Sequence, residues 1–493
     1  MQKLILFGAS NLGKKAYEDL HNIYDILYFC DNDKNKHGKE INGIEIISFE
    51  KLLKINNSKI TIIITSYYIS EIEEQLIKAS VYNYLTYEEV TIIAQPNRYK
   101  KALEELRNKE KIKVAFFALY SSVWKYNGLY QLMMGDSRFD PIIIVCPVVN
   151  YGKEHMLIEM EKTYSFFKKK NYNVVKTYNK ENDSFLDVKK EIHPDIIFFT
   201  NPHPITKEKY YIRHFLDILT CYSPYGIMVA NIEELQYDQL FHNILWKAYY
   251  ETQIHKKMAI MNSRNKGKNV IVTGSPITDG FVYGYRIGKN VWKNTNPNFK
   301  RVIWAPHHTI ESEGQLTYSC FFQLHQFMLD IANIYKNKMQ IAFKPHPLLK
   351  EKLIRHREWG EARTNKYYQQ WSNLENGQLE TDNYVELFNS SDAMIFDSAS
   401  FIAEYLYCGK PSLFTFRNSK VKDQFNEFGK IAIEQHYHAV NERQIVDFME
   451  KVVCNGEDVK RKKRIEFFEK NLITVNNRTA SENIFYDLCE SIW

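Results

Sequence analysis

Two short segments in the last third of the chain carry side chains suited to gripping a phosphate, Lys344-Pro345-His346-Pro347 and Asp397-Ser398-Ala399-Ser400-Phe401-Ile402-Ala403-Glu404. Lys344 offers a cation and His346 a directed donor, while a helix opening at Ser398 and Ser400 offers unpaired N–H groups and a positive dipole end. Each segment follows a short apolar run, 341–343 or 393–396, that reads as a buried parallel strand. Both therefore fall at strand carboxyl ends, where open α/β sheets bind ligands. Taken alone, Lys-Pro-His-Pro reads equally well as a strand-ending turn. Two upstream strand ends share its character. The run 270–272 leads into Thr273-Gly274-Ser275-Pro276 with Asp279 following, and 302–304 leads into Ala305-Pro306-His307-His308-Thr309. Polar, Gly and His residues recurring where strands stop are the makings of a nucleotide crevice in a doubly wound sheet.

The elements that must carry these groups alternate between strand and helix. Strand-like runs at 113–117, 141–145, 173–175, 194–199 and 226–230 are separated by helical stretches, which implies a parallel sheet with right-handed crossovers. The first 95 residues form a separate small unit. Residues 4–7 run into Gly8-Ala9-Ser10-Asn11-Leu12-Gly13, a helical pattern follows, and a second strand, 26–30, ends at Asp31. This is a βαβ unit with a Gly-rich turn and an acid placed to hold a ribose hydroxyl, although Ser10 stands where the middle glycine would let a pyrophosphate approach. The predicted organisation is 1–95 as a Rossmann-like nucleotide- or nucleotide-sugar-binding domain and 96–112 as a helical linker. Residues 113–265 and 266–455 then form two larger Rossmann-like domains, and 456–493 a C-terminal helical segment.

The order Gly274-Ser275-Pro276-x-x-Asp279, Trp304-Ala305-Pro306, Lys344-Pro345-His346-Pro347, Asp397-x-x-Ser400-x-x-x-Glu404 and Lys410-Pro411 resembles the CDP-glycerol glycerophosphotransferases of teichoic-acid and capsule polysaccharide synthesis. The resemblance covers about residues 113–455 and implies a GT-B fold, two Rossmann-like domains facing a cleft. It also implies transfer of a phosphopolyol from a CDP-activated donor to an acceptor hydroxyl. This chain departs from the family pattern in four places, one of them Glu404, where the family usually carries Asp. Ile277 stands where the family carries arginine, Ser398 and Ala399 replace a Tyr-Ser pair, and no Trp-His-Gly-Thr-Pro segment is present. The nearest counterpart of that last segment is Thr200-Asn201-Pro202-His203-Pro204, which follows the run 196–199. The stretch from Asp31-Asn32-Asp33 to Gly43-Ile44 resembles the small domain at the front of sugar acyltransferases of the PglD type, which implies nucleotide-sugar binding there.

Composition bounds what else the chain can be. A length of 493 residues predicts about three domains. Seven scattered cysteines without metal-type spacing read as reduced thiols of a cytoplasmic protein. No apolar run approaches the ~20 residues that span a bilayer. A net charge of +6 with no concentrated basic region excludes a nucleic-acid partner of the usual kind. The run Lys460-Arg461-Lys462-Lys463-Arg464 reads first as a solvated helix face and second as a peripheral contact with an anionic membrane.

On the family's terms, an acceptor hydroxyl attacks the β-phosphoryl group of a CDP-polyol co-substrate and CMP leaves. Lys344 and His346 would hold the pyrophosphate, with N–H groups at Ser398 and Ser400. Gly274, Ser275, His307 and Asp397 would line the donor site, and Glu404 would reach the ribose. His203 is the candidate general base, since imidazole titrates near neutrality. In the small unit, Gly8, Ser10, Gly13 and Asp31 are the candidate binding residues. No Asp-x-Asp acid pair occurs in the cleft region, so no essential divalent metal and no cofactor are expected. The expected partners are a nucleotide-activated donor and a glycan or lipid-linked glycan acceptor. Two other readings stay open: a GT-B glycosyltransferase using a nucleotide sugar, and a non-catalytic nucleotide-sugar-binding protein.

Overall fold

The computed structural model describes residues 1–282, 291–311, 316–381, 384–473 and 475–493. The chain divides into two compact units, Met1–Glu105 and Leu106–Trp493.

The first unit is a six-stranded sheet whose central strand, Lys3–Phe7, pairs in parallel with Asp25–Cys30 on one side and Ile60–Ile64 on the other. Such near-continuous apolar runs belong to strands covered on both faces, and residues 60–64 are buried without exception. The segment expected as a linker is largely the second half of one helix, Tyr87–Leu106, which passes through Pro96 without ending.

The second unit holds two parallel sheets. In the first lobe, seven strands lie in the order Val270–Val272, Lys247–Tyr250, Leu219–Tyr222, Ile196–Phe199, Ile112–Ala118, Phe139–Val145, Val174–Lys176. Two expectations change here. Residues 226–230 form no strand and make one isolated bridge, Ala230 to Phe425, while Leu219–Tyr222 and Lys247–Tyr250 supply strands that the sequence reading missed. The boundary at 266 also moves, because Val270–Val272 pairs with Lys247–Tyr250 as the edge of the first lobe rather than opening the second. Three residues, however apolar, are too short a run to say which sheet they join.

The second lobe is a six-stranded sheet in the order Gly377–Leu379, Met339–Phe343, Lys300–Ala305, Ala393–Phe396, Ser412–Thr415, Tyr437–Ala439. Its core is aromatic: Trp304 stacks on Phe343 at 5.0 Å and Phe343 on Trp371 at 5.4 Å, a geometry that adds to simple burial.

The lobes meet along 228–231 and 424–429. Asn231 N–H donates to the Gln424 carbonyl (2.8 Å), Asn426 N–H to the Val229 carbonyl (2.9 Å), and Asn426 Nδ2 to the Met228 carbonyl (2.9 Å). Gly429 permits the approach, since a Cβ there would lie 2.4 Å from the Val229 carbonyl oxygen. The C-terminal segment serves both lobes. Helix Arg461–Asn471 packs on the second through Phe468 against Tyr407. Helix Ala480–Ile492 returns to the first, where Asp487 accepts from Tyr249 (2.8 Å) and from Lys247.

Candidate active site

Strand order locates the ligand crevices. From Lys300–Ala305 the second-lobe chain steps outward twice, then crosses back to Ala393–Phe396 on the opposite side. The switch point thus lies between the ends of those two strands, where a doubly wound sheet opens to a ligand. Around it stand His307 and His308, with Lys344 and His346 on the next strand end and Asp397, Ser398 and Ser400 opposite. The first lobe has its own switch point between Ile112–Ala118 and Ile196–Phe199. A narrow crevice there is lined by Phe117, Phe199, Thr200, Asn201 and His203 among others.

Three histidines converge in the second lobe. The ring of His346 lies 5.1 Å from that of His307 and 4.2 Å from that of His308, and one ring nitrogen of each falls within 4.8 Å of the others. Such a trio invites a metal reading, but the tautomers oppose it. The His346 Nδ1 accepts the Leu348 N–H (3.1 Å) and the His307 Nδ1 accepts the Thr309 N–H (3.3 Å). In the neutral ring the remaining nitrogen, Nε2, must then carry the hydrogen. Burial holds both rings neutral, pushing His346 down to about 3 and His307 well below the usual histidine range. A pair of Nε2–H donors suits phosphate oxygens. Lys344, almost fully buried, donates to the Thr381 carbonyl at 3.4 Å.

Asp397 plays another part than the one its position in the sequence suggests. Its two carboxylate oxygens accept the backbone N–H groups of His307 and of Cys320 (2.6 Å), the latter just before helix Phe321–Ile334. Burial raises its pKa to about 7 against these hydrogen bonds. It fastens the histidine loop instead of facing a ligand. Ser398 is buried and Ser400 half-buried at the start of a single helical turn, Phe401–Glu404. Glu404 is 2% exposed, hydrogen-bonded to Tyr384, and raised to about 8 by burial, so it is a neutral acid enclosed in protein at pH 7.

Gly274 and Ser275 lie in the first lobe. They follow the edge strand of the first lobe, Ser275 is fully buried, and Asp279 beyond them accepts the N–H groups of Ala480 (2.8 Å) and Ser481 (3.1 Å). The motif acid is a cap for the C-terminal helix.

On the first-lobe side, His203 is half-buried, its pKa lowered by desolvation. Its Nδ1 lies 3.4 Å from Gln239 Nε2, and its own N–H is held by Asn201 Oδ1 (2.8 Å). Sequence reasoning missed the support beneath it. Lys125, 4% exposed, donates to the Thr200 carbonyl (2.9 Å) and lies over the rings of Tyr126 and Tyr222. A lysine ahead of a short helix gives no sign in sequence that it turns inward.

In the N-terminal unit, Gly13 permits close packing, because a Cβ there would meet the Gly8 carbonyl oxygen at 2.0 Å. Ser10 is exposed at the helix start. Asp31 is already engaged, accepting from Ala9 N–H (2.8 Å), Asp33 N–H (2.9 Å) and Lys36 Nζ (2.9 Å), which together outweigh burial and lower its pKa. The basic run near the C-terminus is partly internal. Arg464 is fully buried with Asp458 as partner, and Lys460 donates to the carbonyls of Glu434 and His436.

Two Rossmann-like lobes, each with a switch-point crevice, define a GT-B-like fold. The family model for CDP-glycerol:poly(glycerophosphate) glycerophosphotransferase matches residues 244–490, just over half of the chain. The chain belongs to this family and is a transferase of that type. Residues 1–87 match a separate model, C2185-like, N-terminal. No curated protein matches the chain significantly. Among solved structures, the wall teichoic acid polymerase TagF is similar over 87% of this chain and 98% of that one, at 15% identity and a TM-score of 0.49. UDP-GlcNAc 2-epimerase from Neisseria meningitidis is similar over 77% and 100%, at 14% and 0.47. S. aureus MnaA is similar over 77% and 97%, at 14% and 0.49.

Proposed function

We propose that the cleft joins a phosphopolyol, glycerol phosphate or a close relative, from its CDP ester to a hydroxyl of a surface polysaccharide or teichoic-acid-like acceptor. The observation that carries this reading is the locked pair of histidine donors, His307 and His346, beside Lys344 at the second-lobe switch point. Neutral N–H donors fixed in place before the donor arrives stabilise charge on the transferred group without reorganising. The acceptor oxygen forms a bond to the β-phosphorus, the bond to CMP breaks, and the acceptor's proton passes from the first-lobe side to Nδ1 of His203, which gives up its long contact with Gln239. Backbone N–H groups at Ser398 and Ser400 assist the same oxygens. Among the described residues no helix is long and apolar enough to cross a membrane. An acceptor carried on lipid is reached through a peripheral contact, for which Arg461, Lys462 and Lys463 are the candidates.

For the N-terminal unit, the close Gly8–Gly13 packing and the exposed helix start at Ser10 support binding of a phosphate-bearing ligand such as a nucleotide sugar. Asp31 then acts by shaping the turn rather than by holding a ribose. The deciding assay of the main reading is incubation with CDP-glycerol or CDP-ribitol and a glycan acceptor. It is read as CMP release and a new phosphodiester, against nucleoside diphosphate release from sugar nucleotides.

A further inference from the structure

The turn Ser223-Pro224-Tyr225-Gly226 follows strand Leu219–Tyr222 in the first lobe and reaches the second, where a Cβ on Gly226 would lie 4.0 Å from the Cβ of Ser400. On its other side the Tyr225 ring meets the His203 ring edge-on, centroids 6.4 Å apart. Tyr225 therefore stands between the candidate base and the start of the helix expected to hold the donor. Its side chain is 42% exposed, so a ligand can reach it. Its hydroxyl makes no hydrogen bond to any described residue.

Its place is also fixed from beneath. The Tyr126 hydroxyl accepts the Ser223 N–H (2.8 Å) and donates to the Phe199 carbonyl (2.9 Å), while Lys125 beside it holds the Thr200 carbonyl. One strut, Lys125–Tyr126, thus sets the loop of His203 and the turn of Tyr225 at a common distance from the second lobe. A hydroxyl that faces the cleft with no partner among the described residues, on a backbone secured this firmly, is placed for a ligand.

We propose that Tyr225 is a catalytic residue of the transfer, its hydroxyl donating a hydrogen bond to a non-bridging oxygen of the migrating phosphoryl group from the first-lobe side. The inference rests on the phosphopolyol reading given above. Tyr225 keeps its proton throughout. The acceptor's proton goes to His203, the new phosphorus–oxygen bond forms to the acceptor, and the bond broken is the one to CMP. The second lobe grips the donor in the ground state, whereas Tyr225 completes the cradle only when both lobes face the same phosphorus. Its contribution accordingly falls on the chemical step rather than on donor binding.

Tyr225→Phe in the full chain is the test. Because the hydroxyl has no partner to lose among the described residues, the melting temperature stays at the wild-type value. The kcat for CMP release falls about tenfold to a hundredfold, the scale of losing one preorganised donor, and the KM for the CDP-polyol stays within about twofold. Tyr225→Phe with wild-type kcat overturns the role. So does an equal loss in kcat and in affinity for CDP, which would place the hydroxyl on the donor's ground state. A wild-type chain that releases no CMP from any CDP-polyol overturns the phosphopolyol reading itself, and the role with it.

Discussion

Asp279 accepts the backbone N–H of Ala480 at 2.8 Å across 201 positions of sequence, so an acid that looks like a member of the donor site is the clasp of the C-terminal helix. The same helix start carries a capping box between Thr479 and Glu482, and Gly128 packs so closely beside it that a Cβ there would meet Ser481 Oγ at 2.8 Å.

Asp279→Ala should accordingly behave as a cap loss. We expect about 1–2 kcal/mol less stability in denaturant unfolding, with affinity for CDP unchanged. A variant of normal stability but weakened CDP binding would return Asp279 to the donor site.

His346→Ala should leave folding intact and lower turnover about a hundredfold or more, the cost of a lost preorganised contact to the transition state. Because burial holds His346 down to about 3, its donor form persists from pH 5 to 8. CDP affinity should therefore show no inflection in that range traceable to this ring. An inflection that disappears in His346→Ala would contradict the tautomer assignment.

Glu404 gives a stability prediction with a definite sign. Its folded pKa, about 8, lies above the ordinary 4.5, so between those values the native state holds a proton that the unfolded chain releases. Stability from this group is therefore full below about pH 4.5 and is lost as pH rises to about 8. Glu404→Gln keeps the neutral shape and should flatten the fall of melting temperature between pH 5 and 8 relative to wild type. Identical slopes in the two proteins would show that Glu404 ionises in the fold.

The sequence made the strand ends readable, because runs such as 341–343 and 393–396 are short, wholly apolar and followed by chemistry-bearing residues. It made the histidine cradle readable for the same reason. What it hid were relations set by tertiary packing. Nothing local in Asp397 tells whether its oxygens face a ligand or the N–H groups of His307 and Cys320. Nothing in Val270–Val272 tells which sheet takes a three-residue strand. Tyr225 shows its significance only once the turn is seen to touch Ser400.

The unit boundary makes a separate prediction. Because helix Tyr87–Leu106 belongs with the first unit, a chain beginning near Lys109 should fold and retain CMP release. A folded but inactive product would give residues 1–105 a direct part in the reaction.

The most direct measurement is phosphorus NMR of the product formed from a CDP-polyol and a surface-glycan acceptor, with CMP followed in parallel. A phosphodiester appearing in step with CMP is the predicted result. Release of a nucleoside diphosphate from a sugar nucleotide, with no phosphorus in the product, would contradict it.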